Sequence, residues 1–311
     1  MDAPMPPSAS RISLNKHLFE RAPDRLRHLI LDIARAAKYI HYAIRTTEAG
    51  LAGSRNQFGE EQVKLDVLSN AIIEQHLRES RLVARYISEE QKDVVELSPE
   101  APYSVVFDPL DGSSLVDVNF AIGSIFGVYE GEVIGKKPRE QVAALYVVYG
   151  PRTVLVCSSG HGTHEFILND VGEFILLREH LGIGDAAKVF APGNLHAMVE
   201  DAPYRSLLEA WLQDNMSLRY SGCMVADVHH ILSKGQGVFL YPGGPTYPEG
   251  KLRHVFECGP FAYLVDQAGG SSSDGAQSIL EKEITAIDQR TPFIIGSKKE
   301  VERVCSFLGR V

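Results

Sequence analysis

The stretch YSVVFDPLDGSS, residues 103–114, decides the fold of this chain. Its apolar run through Val105, Val106 and Phe107 reads as a buried strand that delivers Asp108. Pro109 stops that strand, and Asp111-Gly112 makes a tight turn. Two carboxylates three residues apart at a strand-to-turn junction can converge on one point, and hard divalent cations take such oxygens. Ser113 and Ser114 follow, with backbone N–H groups able to face a phosphate if a helix begins there. Taken alone, the stretch is as readily an ordinary turn built on Asp108-Pro109 and Asp111-Gly112.

Working upstream, Arg81–Ser88 reads as a strand ending at the pair Glu89-Glu90. Adjacent acids at a strand end are commonly a solvated edge, but both acidic signals sit just past a strand, where α/β proteins place ligands. Residues 24–48 carry Leu26, Leu29, Ile30, Ile33, Ala37, Ile40 and Ile44 at three- and four-residue steps, a helical stripe. Residues 51–60 read as a loop, and a second helix over 62–79 carries Asp66. Downstream, segments up to 178 alternate strand and turn, with Gly150-Pro151 and Asn169-Asp170 as breaks. They predict a large, partly antiparallel sheet flanked by the early helices.

Beyond 181–185 the pattern turns to helix (203–213), helix (224–234), strand (237–241) and helix (257–268), the last stopped by Gly269-Gly270. Ser297 and Glu300 form a capping box that opens a final helix. A domain boundary is expected near 183–188, dividing a flexible tail (1–10), an N-terminal domain (11–184) that carries the acidic signals and a C-terminal domain (185–311). The fold class is layered α/β, two closely packed domains with mixed sheets.

The bulk numbers are those of an ordinary globular chain: 311 residues, 44% hydrophobic, 23% charged, net charge −9. The acidic balance gives no general attraction to nucleic acid or to an anionic membrane, and no apolar run reaches the length of a membrane span. Cys157, Cys223, Cys258 and Cys305 show no metal-ligand spacing, so zinc and a disulfide framework are not expected. A reducing cytoplasm fits.

At this point the sequence resembles the class I fructose-1,6-bisphosphatases, in the lithium-sensitive phosphatase group that includes inositol monophosphatase. The resemblance runs through EQVKLDVLSN (61–70), FDPLDGSS (107–114), IGSIFGVYEG (122–131), RYSGCMVADVH (219–229), GVFLYP (237–242) and GKLRHVFECGPFAYLVDQAGG (250–270). It implies the α-β-α-β-α sugar-phosphatase fold and hydrolysis of the 1-phosphate of fructose 1,6-bisphosphate. It assigns the metal ligands to Glu89, Glu90, Asp108, Asp111, Glu257 and the carbonyl of Leu110. Asp66 matches the catalytic aspartate. Glu90, with Glu89 and Asp66 close by, is placed to prepare the attacking water. Substrate contacts are implied for Asp111, Gly112, Ser113 and Ser114 at the reacting phosphate. Asn194, Arg219, Tyr220, Tyr241, Lys251 and Arg253 fall in the sugar-phosphate pocket. The resemblance also implies two to three Mg²⁺ per subunit, Mn²⁺ as a substitute, and a homotetramer in which Arg219 reaches a neighbour's site.

The chemistry is coherent. Five clustered carboxylates repel one another and titrate upwards without metal; bound Mg²⁺ neutralises them and lowers the pKa of a coordinated water. A far phosphate needs fixed donors, which Arg219, Lys251 and the tyrosine hydroxyls supply. Two stretches depart from regulated animal relatives: APDRL (22–26) replaces the segment that holds AMP there, and Pro102-Tyr103 replaces a Lys-Tyr pair, so AMP control is not expected in its familiar form. YGPRT (149–153), GTHEF (162–166) and APGN (191–194) resemble plant sedoheptulose-1,7-bisphosphatases, and Ala197 replaces a pocket tyrosine. A sedoheptulose or dual bisphosphatase is therefore the alternative, and a catalytically silent sugar-phosphate sensor the remote one.

Overall fold

A computed structural model describes residues 12–47, 50–55, 61–244 and 247–308; the tail expected over 1–10 lies outside them. Helices α1 (Leu14–Phe19) and α2 (Asp24–Thr46) open the chain, followed by β1 (Leu51–Arg55), β2 (Glu61–Val63) and α3 (Lys64–Ser80). A run of strands comes next: β3 (Val83–Ser88), β4 (Val95–Glu96), β5 (Tyr103–Asp111), β6 (Ile122–Glu130), β7 (Ala143–Tyr149), β8 (Thr153–Ser158), β9 (His164–Leu168) and β10 (Phe174–Arg178). The second half holds β11 (Val189–Pro192), α4 (Ala202–Gln213), β12 (Ser217–Leu218), α5 (Met224–Lys234), β13 (Val238–Tyr241), β14 (Leu252–Arg253), α6 (Gly259–Gln267), β15 (Ser271–Ser273), β16 (Arg290–Thr291), β17 (Phe293–Gly296) and α7 (Lys298–Leu308).

β3 to β10 form one eight-stranded sheet in the order β10-β9-β8-β7-β6-β5-β3-β4, antiparallel except where β3 runs parallel to β5. Along β7 the side chains divide with the two-residue period of a strand. Ala143, Leu145, Val147 and Tyr149 enter a core shared with α1, α2 and α3. Ala144, Tyr146 and Val148 enter another, shared with α5 and α6. A sheet covered on both faces favours apolar residues on both sides of its strands, which is why β7 reads as an unbroken apolar run and β5 carries Val105, Val106 and Phe107 in succession.

The second sheet, ordered β12-β11-β13-β17-β15, repeats this division. Phe239 and Ile295 join the α5/α6 core, while Val238, Leu240 and Ile294 pack with Trp211 of α4 and Val304 of α7. The layers are therefore α1–α3, first sheet, α5/α6, second sheet, α4/α7: the α-β-α-β-α order. α6 lies between two sheets, and Gly259 to Val265 are all buried, as a helix apolar all round requires.

Two local expectations are corrected. Residues 51–55, read as loop, form a strand paired antiparallel with β2; residues 56–60 of that loop lie outside the described ones. The helix expected from 257 begins earlier, with a π-helical turn over His254–Cys258 that runs into α6. Glu257 thus sits in a π turn, a feature that composition does not announce.

Candidate active site

The acidic turn is made by a β-bulge. In the β5–β6 ladder Asp108 faces Ile125 and Asp111 faces Gly123, so three steps on β5 oppose two on β6. Pro109 has no N–H to give the ladder and tolerates the interruption. Residues three apart on a regular strand point to opposite faces; the extra residue brings Asp108 and Asp111 to the same one. Ser124 fixes the bulge, its hydroxyl donating to the Pro109 carbonyl at 2.7 Å. The Leu110 N–H donates to Asp108 Oδ1 at 2.9 Å.

α5 holds the other side of the turn. Asp111 Oδ2 accepts from the Val225 N–H at 2.7 Å and from the Cys223 thiol at 3.2 Å, a carboxylate seated at a helix N-terminus. Gly112, at φ +79°, makes the approach possible, since a Cβ there would lie 2.8 Å from Cys223 Sγ.

The strand end at Glu89-Glu90 is pinned from α3. Ser88 Oγ donates to Asn70 Oδ1 at 2.5 Å and accepts from the Glu90 N–H at 3.2 Å. Glu257 enters from the π turn, its Oε2 accepting from the Arg253 N–H at 2.5 Å. One cavity of about 370 Å³ collects Glu89, Glu90, Asp108, Leu110, Asp111, Gly112, Ser113, Ser114, Tyr220, Tyr241, Lys251, Arg253 and Glu257. Most of the sequence-predicted residues line it.

Three do not line that cavity. Asp66 is buried in the first turn of α3. Asn194 sits at the turn after β11, in the left-handed region, with its amide 3.4 Å from the Pro242 carbonyl. Arg219 is exposed, and its guanidinium donates to its neighbour's carbonyl, Leu218 O, at 2.7 Å.

Carboxylate oxygens of Asp108, Asp111 and Glu257 all lie within 4.8 Å of one another. Asp108 is held well above the usual carboxylate range, first by burial and then by the charges of Glu89, Asp111 and Glu257. Glu257 is likewise raised by burial and by Glu89 and Asp111. Asp111 is raised by burial, against the opposing pull of its bonds from Val225 and Cys223. The countercharge at the cluster is Arg253, 2% exposed, with Nε 3.5 Å from Glu89 Oε1. Buried, mutually repelling and wholly oxygen-based, the cluster fits hard divalent cations. The far end of the cavity differs: Tyr220, Tyr241 and Lys251 supply hydroxyls and an ammonium.

Three positioning residues escaped the sequence reading. Asn70 lies in the helix that carries Asp66, but nothing in its spacing points to β3. Cys223 is not a usual helix cap, so its bond to Asp111 had no signal. Asp227 Oδ1 accepts from the Ser221 N–H at 2.8 Å, fixing the segment that carries Arg219 and Tyr220. Burial raises Asp227 to about 6, against the pull of its bonds from Ser221 and Gly222.

A layered α/β fold that gathers carboxylates at one end of a cavity and hydroxyl and ammonium donors at the other is the arrangement of a metal-assisted phosphatase. The N-terminal domain of fructose-1-6-bisphosphatase matches residues 9–179, and its C-terminal domain matches residues 183–309. The chain belongs to the fructose-1,6-bisphosphatase family. It is 44% identical over 94% of its length to a class 1 fructose-1,6-bisphosphatase of Syntrophotalea carbinolica, covering 92% of that protein. It is 39% identical to the chloroplastic sedoheptulose-1,7-bisphosphatase of Triticum aestivum, over 94% of this chain and 75% of that one. Among solved structures it superposes on the holo form of Leishmania major fructose-1,6-bisphosphatase with TM-score 0.91 at 33% identity, covering 98% of this chain and 100% of that one.

Proposed function

We propose that this chain hydrolyses the 1-phosphate of fructose 1,6-bisphosphate, giving fructose 6-phosphate and inorganic phosphate. The observation that carries this reading is the two-ended cavity, acidic at Asp108, Asp111 and Glu257 and donor-rich at Tyr220, Tyr241 and Lys251. Glu89, Glu90, Asp108, Asp111, Glu257 and the Leu110 carbonyl would hold two or three Mg²⁺, with Mn²⁺ able to replace it. The bound cations supply charge neutralisation at the phosphoryl oxygens and acidify a coordinated water.

The protein's own groups do the rest. Ser113, Ser114 and the turn at Gly112 present backbone N–H groups to the reacting phosphate, while Asp111, fixed on α5, cannot swing away from it. Glu90 takes the proton of the attacking water, and Asp66, in the first turn of α3, assists from behind. Oxygen–phosphorus bond formation by that water and departure of the sugar oxygen complete the displacement. Tyr220, Tyr241 and Lys251 hold the far phosphate, which takes no part in bond breaking. Arg253 faces Glu89 and acts from the acidic side. Asn194 shapes the rim beside Tyr241, since Gly193 leaves room for that ring.

Arg219 is exposed and outside its own chain's cavity, which supports a homotetramer in which it reaches a neighbour's far-phosphate site. The protein works in the cytoplasm, with domains divided at 184/185. Among the described residues no helix is long and apolar enough to cross a membrane. A second reading, sedoheptulose 1,7-bisphosphate as substrate or co-substrate, is favoured by the wheat relative and by a 34% identical structure titled a putative sedoheptulose-1,7 bisphosphatase from Toxoplasma gondii, TM-score 0.90, covering 96% of this chain and 98% of that one. The full carboxylate set argues against a silent sensor.

Phosphate release from the two bisphosphates, measured in parallel with Mg²⁺, with Mn²⁺ and in excess chelator, tests the proposal. Activity is expected only with metal, and kcat/KM is expected to favour the fructose ester. Turnover by demonstrably metal-free protein would overturn the mechanism, and preference for the seven-carbon sugar would overturn the substrate.

A further inference from the structure

A second group of metal-ligating side chains lies away from the catalytic cavity. One ring nitrogen each from His17 and His164 and one carboxylate oxygen of Glu179 fall within 4.8 Å of one another. His17 comes from α1, His164 opens β9, and Glu179 follows β10. They are far apart in sequence, so the fold and not a motif brings them together. The cysteines, whose spacing spoke against zinc, play no part in the group. The His164 ring packs edge-on against His17 at 4.3 Å and against His180 at 4.7 Å. None of these residues lines the catalytic cavity.

Packing alone does not account for the polar atoms here. His17 is 2% exposed, and its Nε2 is buried with no hydrogen-bond partner among the described residues. Its Nδ1 stands 4.0 Å from Glu179 Oε1, too far for a hydrogen bond. A buried imidazole without a bond costs free energy and calls for a partner such as an ion. His164 is held in one tautomer. Its Nε2 lies 3.0 Å from the His161 carbonyl, which only accepts, so Nε2 carries the proton and Nδ1 keeps its lone pair. Metal-bound histidines are commonly oriented this way, one ring N–H given to a carbonyl. The His180 N–H reaches the lone pair at 3.2 Å; His180 is exposed, and its N–H can turn to water.

Both imidazoles are kept neutral. Burial, and then the neighbouring His164 and Arg21, lower His17 to about 4, and burial lowers His164. Neutral imidazole is the ligand form, so no proton has to leave these rings at neutral pH. The competitor for the carboxylate is Arg21, whose Nη2 is 2.7 Å from Glu179 Oε1. Arg21 is partly exposed, and its Nη1 lies 4.0 Å from Glu20 Oε2, so it can leave Glu179 with a carboxylate still beside it. Imidazole suits zinc and the later first-row metals, whereas an all-oxygen cluster suits Mg²⁺. Two imidazoles and one carboxylate also leave a fourth position for water.

We propose that His17, His164 and Glu179 bind one zinc ion, at a site separate from the catalytic carboxylates. α1 already leans on β10, where the Leu176 N–H donates to the Ile12 carbonyl at 2.9 Å and Ser13 bridges Ile175. The ion fastens α1 to β9 and to the connection that leaves β10 for the second sheet. It steadies the fold by binding the native state and takes no part in the reaction.

The test is a Co²⁺ titration of the full chain in excess Mg²⁺, read by the visible absorption of cobalt bound to imidazole nitrogen and reversed by Zn²⁺. One equivalent per chain is expected. Asp108→Asn, in the catalytic cluster, should leave the band and its affinity unchanged. Glu179 is 41% exposed, so Glu179→Gln is compatible with the fold, which an unchanged melting temperature without Co²⁺ or Zn²⁺ verifies. It should weaken binding at least about tenfold, since even the partners behind a ligand are worth about 10–100-fold in metal affinity. Arg21→Gln removes the competing guanidinium and should tighten binding. No band in the wild type, an unchanged affinity in Glu179→Gln, or loss of the band in Asp108→Asn would overturn the proposal. Equal or weaker binding in Arg21→Gln would overturn it as well, because a guanidinium on the same carboxylate must oppose the metal.

Discussion

Replacing Arg253 with methionine removes the buried countercharge of the acidic cluster while keeping much of its volume. The guanidinium Nε stands 3.5 Å from Glu89 Oε1, and the same residue's backbone N–H holds Glu257. With an effective dielectric constant of about 20, a charge pair at that separation carries roughly 5 kcal/mol of gross attraction. Breaking a buried pair by removing one partner costs on the order of 3–5 kcal/mol, because the remaining charge stays buried without compensation. At about 2 °C per kcal/mol for a chain of this size, the metal-free variant should melt roughly 6–10 °C lower. The sign with pH follows from the carboxylates. Asp108 and Glu257 already have raised pKa values, so their ionisation weakens the fold as pH rises through those values, and losing Arg253 raises them further. The deficit should therefore grow from pH 6 to pH 8. Saturating Mg²⁺ should shrink it, since the cations supply the missing positive charge. Differential scanning fluorimetry at both pH values, with and without Mg²⁺, measures all of this. A melting deficit that is the same with metal and without it would reduce Arg253 to a packing role and refute the electrostatic argument.

Three further outcomes are expected. Gly112→Ala places a Cβ 2.8 Å from Cys223 Sγ at a φ of +79°; the left-handed backbone alone costs about 1–2 kcal/mol, and displacement of α5 from Asp111 should lower metal affinity, read by Mg²⁺ titration of activity. Asp227→Asn should flatten the pH dependence of stability. Asp227 is raised from 3.8 to about 6, so its ionisation removes on the order of 3 kcal/mol between pH 4 and 6 and nothing further above; urea midpoints for variant and wild type that run parallel across that window would contradict this. Asp66→Ala should cut kcat on the order of a hundredfold, while Arg219→Ala should mainly raise KM. Mixing the two impaired variants, assayed at substrate well below the raised KM, should restore activity if Arg219 serves a neighbouring subunit, and mass-verified hybrids without recovered activity would place it elsewhere.

The layered class was legible because its cause is local. Burial on both faces turns β7 and the Val105–Phe107 stretch of β5 into continuous apolar runs, and one-sided burial gives α2 its stripe. The paired strand at 51–55 was not legible, because LAGSR carries two small residues and a glycine and offers no alternation. The π turn at 254–258 was hidden for a related reason. HVFEC runs directly into GPFAYLV, and a helix buried on every side has no periodicity to mark where its geometry changes.

The site was legible in its residue types but not in its geometry. Asp108 and Asp111 are three apart, and on a regular strand that spacing sends one carboxylate to each face of the sheet. Pro109 reads as a strand stop, yet β5 continues through it to Asp111 by adding one residue against β6. Only a partner strand can reveal a bulge, so the convergence of these acids is a property of the β5–β6 ladder rather than of the motif. The same holds for the partners behind the carboxylates. Asn70 and Cys223 each act on a segment distant in sequence, Asp227 acts on Ser221 across a local turn, and none has a spacing that singles it out. What the motif encodes is a set of oxygens; the ladder, α3 and α5 decide that they share a point. The Gly112 and Arg253 substitutions separate these levels. The first disturbs placement with every carboxylate retained, whereas the second disturbs charge with the ladder and both helices left in position.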